Sequence, residues 1–211
     1  AYVANDLSIG RKSGPSFVGS GADGTLVLGS NSTLSVGSAA ARANVFVGYN
    51  STNAGAVVGL LDARQGRFDA IASTVSVGVS SGANATGTVS TGAQTTIDAQ
   101  QINIGTGTGT TGTFNLAAGI VRSQTITLGS GGTFSFTGGR LSVGTFNSNL
   151  IQGAGVLAPG LLPVPSTGFS TVNGAYNLAS PGTLEIDLNG LVAGTQHDSI
   201  VVNGLVAINS D

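Results

Sequence analysis

The feature that most constrains this chain is a four-residue phrase: an apolar residue, any residue, a second apolar residue, then glycine. It occurs as Leu7-Ser8-Ile9-Gly10, Leu26-Val27-Leu28-Gly29, Leu34-Ser35-Val36-Gly37 and Val45-Phe46-Val47-Gly48. It returns as Val75-Ser76-Val77-Gly78, Ile102-Asn103-Ile104-Gly105, Ile126-Thr127-Leu128-Gly129 and Leu141-Ser142-Val143-Gly144. Side chains alternate across an extended strand, so both apolar residues of each copy share one face, and the glycine lets the backbone bend. Each copy reads as a strand followed by a corner.

A second phrase opens further strands: Gly24-Thr25-Leu26, Gly87-Thr88-Val89, Gly112-Thr113-Phe114, Gly132-Thr133-Phe134 and Gly182-Thr183-Leu184. Helical periodicity is confined to Ala39–Ala43, too short to stand alone. Many short strands suit a sandwich, a barrel or a solenoid. Hairpin dipeptides decide between them, because Asp23-Gly24, Asn173-Gly174, Asn189-Gly190 and Asn203-Gly204 are few and mostly late. The expected fold is therefore all-β, a right-handed parallel β-helix (solenoid). Residues 1–160 are expected to form the solenoid coils, about seven of roughly 20 to 25 residues each. Residues 161–211 are expected to be a C-terminal β segment that continues or caps the solenoid, with hairpins or irregular strands near the C-terminus. Glycines 78, 105, 129 and 144 lie 27, 24 and 15 residues apart, so the period is approximate.

The run Ile102–Leu116, INIGTGTGTTGTFNL, contains alternating glycine and threonine. A phosphate cradle would need a following helix and a lysine, and neither is near. An ice-like hydroxyl array would need Thr-x-Thr stacked coil after coil, and Thr106, Thr108 and Thr110 have only loose counterparts elsewhere. The run reads instead as one coil: Ile102 and Ile104 inward, a corner at Gly105, a loop of small residues, then Phe114 and Leu116 inward.

Composition sets the chemistry. Charged residues make up 8% of the 211, roughly a third of the usual share, while the 35 glycines are about 17% against a typical ~7%. The seven basic residues, Arg11, Lys12, Arg42, Arg64, Arg67, Arg122 and Arg140, are scattered among nine acids, which argues against nucleic acid as a partner. Without cysteine there are no disulfides and no thiolate metal sites. Absence of methionine, even at position 1, reads as a mature or trimmed product, any signal peptide having been removed. No apolar stretch approaches the ~20 residues of a membrane span, so no membrane insertion by this segment is expected. Low charge with abundant Gly, Thr, Ser and Asn fits a secreted or bacterial cell-surface protein.

Candidates for chemistry are sparse. Glu185 and Asp187 share a strand face opposite Leu184, Ile186 and Leu188, and read as the wet side of a half-buried strand rather than a glycosidase pair. Asp62, Arg64, Arg67 and Asp69 read as local ion pairs, and Asp98 as a turn cap. His197 is the lone histidine, and Asp198 beside it points to the opposite face, so neither a metal site nor a triad forms around it. Tyr2, Tyr49 and Tyr176 are too dispersed for a sugar-stacking platform. No catalytic residue, cofactor or metal is expected, and the chain reads as no enzyme.

From Ser130 onward a longer pattern appears: Gly132–Leu141 (GTFSFTGGRL), Asn149–Gly160 (NLIQGAGVLAPG), Gly182–Gly190 (GTLEIDLNG) and His197–Gly204 (HDSIVVNG). In this order they resemble the autotransporter-associated β-strand repeat family of bacteria. The resemblance implies a passenger-like, extracellular, mostly non-catalytic solenoid. A rod of stacked coils has two ends whose backbone groups lack partners, each a template for another chain. Neither Tyr2, Val3 and Leu7 at one end nor Ile200, Val202, Val206 and Ile208 at the other reads as a cap. The expected function is structural or adhesive, with end-to-end self-assembly into surface fibres or matrix. Partners are then further copies of the chain or neighbouring solenoid segments, with surface glycans as a further candidate. The alternative is a carbohydrate-binding or carbohydrate-cleaving β-helix.

Overall fold

The structure is a computed structural model that describes residues 1–14, 20–161 and 167–209. Its described residues contain no helix. The first coil holds β1 (Tyr2–Val3), β2 (Asp6–Lys12) and β3 (Ala22–Val27), and the second β4 (Thr33–Val36), β5 (Ala43–Asn50) and β6 (Val57–Ala63). In the strands that follow, β7 (Arg67–Ser80), β9 (Thr95–Ile104), β11 (Ile120–Leu128), β12 (Gly132–Asn147) and β13 (Leu150–Leu157) bend through a corner, while β8 (Ala85–Thr91) and β10 (Thr110–Leu116) stay within one wall. The last coils use β14 (Phe169–Val172), β15 (Tyr176–Ala179), β16 (Thr183–Leu184), β17 (Ser199–Val202) and β18 (Val206–Asn209).

All ladder pairings between these strands are parallel and stack into three walls. In the first wall the inward register runs Val3, Val36, Ala70, Ile97, Val121, Leu141, Leu157, Leu184. In the second it runs Leu7, Val45, Val75, Ile102, Ile126, Phe146, Val172, Val202. Eight rungs at ~4.8 Å give a β-solenoid roughly 34 Å long. The third wall stacks Leu26, Leu61, Val89, Phe114 and Phe134 in one column. A second column there continues Leu116, Phe136, Gln152, Leu178, Ile208.

These columns are the core. Val36, Ile97, Val121, Ile102, Ile126 and Phe114 are essentially sealed from water, and each such side chain contributes about 1.5–3 kcal/mol. The walls meet ring to ring near the middle: Phe114 stacks on Phe134 at 5.5 Å, and Phe134 meets Phe146 of the second wall edge-on at 5.5 Å.

Five of the eight copies of the first phrase and four of the five of the second prove to be the two halves of one corner. Gly24, Gly59, Gly87, Gly112 and Gly132 form a ladder in the third wall, and Gly10, Gly48, Gly78, Gly105 and Gly129 face it from the ends of the second. The two ladders touch through their backbones. A Cβ on Gly87 would lie 2.2 Å from the Gly78 nitrogen and 2.2 Å from the Val47 carbonyl oxygen. Gly78 returns the constraint, since at φ +60° its Cβ would lie 2.1 Å from the Thr111 carbonyl oxygen. Glycine is therefore dictated on both sides by lack of space, and on one side also by backbone conformation.

This corner also explains the drifting period. Between facing glycines the chain makes an excursion of 14, 11, 9, 7 and finally 3 positions, so the coils shrink as the chain advances. Successive second-wall glycines at 10, 48, 78, 105 and 129 close from 38 to 24 residues, larger in the early coils than the expected 20 to 25. Gly144 belongs to another corner, after the first wall, as does Gly37, while Gly29 follows the third; mixing corners produced the interval of 15. Residues up to 157 complete six coils rather than about seven.

The opening run behaves as its residues dictate. Ile102, Ile104, Phe114 and Leu116 are buried, and Thr106 and Thr108 lie in the excursion. Thr110 turns inward and donates to the carbonyls of Gly105 at 2.9 Å and Gly107 at 3.1 Å. The late Asn-Gly dipeptides differ from expectation: Asn173-Gly174 and Asn203-Gly204 are corners between parallel strands, β14 to β15 and β17 to β18, not hairpins. The one antiparallel feature among the described residues is an isolated bridge from Leu188 to His197, beside Asn189-Gly190.

Gly87→Ala is expected to lower stability by about 1–3 kcal/mol or more, as overpacking of a closed site does. Gly29→Ala, whose new methyl would come no nearer than 3.8 Å to Ser32 Oγ, should be close to neutral. Urea unfolding of the two variants checks the contrast.

Candidate functional site

The inward columns end abruptly at the eighth coil. Tyr176 and Leu178 are 2% and 7% exposed, yet Val206 and Ile208, one rung further along the same columns, are 56% and 62% exposed. Leu205 beside them is exposed at 83%. Ile200 and Val202 face inward above Ser170 and Val172, half-buried for the same reason. A polar ladder runs to the same end along the corner: Asn203 Nδ2 donates to Asn173 Oδ1 at 2.8 Å, and Asn173 Nδ2 to Asn147 Oδ1 at 2.8 Å. Asn147 Nδ2 then donates to Thr127 Oγ1 at 3.2 Å. Each amide donates toward the N-terminal end and accepts from above, so the Asn203 oxygen is the next acceptor in line.

The N-terminal end is different. Val3 and Leu7 face inward and are half-buried, but Ile9 and Leu28 of the same first coil are only 5% and 6% exposed with no coil beneath them. The Lys12 ammonium ties the excursion after β2 to its neighbour, donating to the carbonyls of Ser20 at 2.7 Å and Ala54 at 2.8 Å. Tyr2 falls in the outward column with Ser35 and Asp69, so its ring lies on the flank rather than on the stacking surface. The structure thus groups Ile200, Val202, Val206 and Ile208 at a bare end, and Val3 and Leu7 at a partly covered one.

Buried polar groups secure the coils beneath the bare end. Tyr176 Oη donates to Gln152 Oε1 at 2.7 Å, and Gln152 Nε2 donates to the carbonyls of Gly155 and Thr183 at 2.9 and 3.0 Å. Burial pushes the Tyr176 hydroxyl from an ordinary 10.0 up to about 12. The buried Asp198 carboxylate accepts from the Gly168 and Asp187 backbone nitrogens at 2.6 and 2.9 Å, fastening the excursion that ends at β17. His197 Nδ1 donates to the Gly190 carbonyl at 3.0 Å within that excursion.

Charge, scattered in sequence, is gathered in space. Arg42, Arg64, Arg67, Arg122 and Arg140, five of the seven basic residues, lie on or beside the outer face of the first wall. Arg64 pairs with Asp62 at 2.6 Å and Arg67 with Asp69, the local pairs expected from sequence. Arg140 grips Glu185 with both guanidinium arms, which holds that carboxyl below the usual range, so Glu185 is engaged across 45 residues. Asp98 caps no turn; it accepts from Arg42 at 2.8 Å. Among the described residues no group of three or more His, Cys, Asp or Glu stands close enough to hold a metal ion, and no helix is long and apolar enough to cross a membrane.

Comparison with protein-family models, with curated proteins and with solved structures finds no match.

Because the folded Tyr176 hydroxyl titrates above its unfolded value, its contribution is intact below pH 10 and is lost as pH climbs toward about 12. Alkaline unfolding followed by circular dichroism should show this leg in the native chain. Tyr176→Phe should lack it and be less stable at neutral pH by about 1–2 kcal/mol, the cost of stranding the Gln152 carbonyl.

Proposed function

We propose that the chain is a non-catalytic structural or adhesive segment of a bacterial extracellular β-solenoid, of autotransporter-passenger type, that joins further coils end to end into surface fibres or matrix. The observation that carries this reading is the pair of apolar columns running unburied off β18, with Val206 and Ile208 more than half exposed where their predecessors are sealed. Soluble proteins rarely leave such a surface uncovered without a partner, and the edge of a parallel coil offers the backbone groups on which another coil can pair.

A second copy fits by continuation of register. Leu184 would stack over Val3, Val202 over Leu7, Val206 over Leu26 and Ile208 over Leu28, aliphatic on aliphatic in every column. Ile9 and Leu28 are already only 5% and 6% exposed at the end that would receive that copy, so association is expected to be weak and concentration-dependent. The likeness of residues 132–204 to autotransporter-associated repeats supports the extracellular setting.

Negative-stain electron microscopy across a concentration series tests the reading. Filaments with an axial repeat near one rod, roughly 34 Å plus one rung, are the expected outcome. Val206→Lys with Ile208→Lys should leave circular dichroism unchanged and abolish them. Short monodisperse rods at every concentration would overturn self-assembly.

A further inference from the structure

We propose that the groove along the corner between the first and second walls binds an acidic polysaccharide, taking a sugar carboxylate on Arg122. The groove has a volume of about 240 Å³ and is lined by Arg42, Asp98, Gln100, Arg122, Gln124 and Leu161. These residues come from different coils: Arg42 from the second, Asp98 and Gln100 from the fourth, Arg122 and Gln124 from the fifth, Leu161 from the seventh. It therefore runs along the rod, and a linear polymer lying in it would meet one rung after another.

Two guanidinium groups line the groove, and they are not equivalent. Arg42 is spent on the protein, donating to the carbonyls of Ala72 at 3.0 Å and Asp98 at 3.1 Å, and to Asp98 Oδ1 at 2.8 Å. Arg122 sits one rung from Asp98, with Ser142 on the next, and donates to no acceptor among the described residues. Of the five arginines on this face, Arg42, Arg64, Arg67 and Arg140 are ion-paired, and Arg122 alone offers its fork of donors to solvent.

The lining selects the ligand class. Two guanidinium groups and one carboxylate leave one net positive charge, which suits a monoanion. A phosphate dianion asks for more donors than one free arginine supplies beside an aspartate. A carboxylate matches the planar fork of arginine bidentately. Gln100 and Gln124, both exposed, supply amide donors and acceptors for ring hydroxyls, and Leu161 supplies an apolar patch for the C–H face of a pyranose. A polymer of hexuronate sugars combines all three chemistries. No chemical step is implied; the groove binds and does not cleave.

Isothermal titration of the full chain with oligogalacturonate and oligomannuronate, against a neutral cello-oligosaccharide of equal length, tests the assignment. Uronate binding that weakens with added salt is expected, with none to the neutral sugar. Arg122→Gln should weaken it about tenfold or more, the loss of a charge-assisted bidentate contact, and Arg122→Lys should retain part of it. Gln100→Ala should weaken it less than Arg122→Gln. Because Arg122 is on the outer face, unchanged thermal unfolding of the variants separates lost binding from lost folding. Equal affinity for acidic and neutral sugars, an Arg122→Gln variant that binds normally, competition by inorganic phosphate alone, or no binding by either uronate would each overturn the proposal. Filament formation is read separately, so failure here leaves the assembly reading standing.

Discussion

The arrangement depends on one close approach, backbone against backbone, where the second wall hands the chain to the third. Parallel coils are held laterally by hydrogen bonds, but their cross-section is set by how near two walls can come at a corner. Here the distance is so short that no Cβ fits on either side. Closing the corner brings Ile9, Val47, Val77 and Ile104 against the third wall, whose inward residues fill the same narrow interior. With glycine fixed at the corner, the excursion that follows can be long or short without disturbing the walls. The taper from 14 positions to 3 is that freedom in use: loop closure changes slowly with length, while every rung keeps its register.

Much of this was legible because strand alternation and corner glycine are both local signals. Ile102, Ile104, Phe114 and Leu116 could be placed from a fifteen-residue window. Which wall a phrase belongs to could not, because all three corners use the same wording and only stacking distinguishes them. Gly144 looks like Gly129 in sequence and lies a third of a coil away in space. The Asn-Gly corners misled for a related reason: the dipeptide favours tight reversal in isolation, but Asn173 and Asn203 are held by a ladder of amides that exists only once neighbouring coils are stacked. Arg42 and Asp98, separated by 56 residues, meet only because stacking leaves a single coil between them, which the Arg42 side chain spans.

Assembly and binding draw on different parts of the same economy of charge. A chain with so few ions can keep its inward columns free of charge to the last rung, which is what stacking requires. Most of its basic residues are gathered on or beside the first wall, where all but one are neutralised by a partner. That pairing makes Arg122 informative: on a surface rich in unpaired lysine an open arginine would mean little, whereas here it is the exception among its neighbours.

The two proposed surfaces are also geometrically compatible. The bare end looks along the rod, and the groove runs parallel to it on the flank, so stacking a further copy would hide neither Arg122 nor Gln124. Because every coil repeats the wall but not the side chains, each added copy would bring one groove per rod length rather than a continuous track. Affinity for a long acidic polymer would then rise with filament length through multiple attachment, even with a weak single site. A weak groove and a weak end contact would reinforce each other: a polymer lying along the flank holds neighbouring rods in line, and rods in line present it with successive sites.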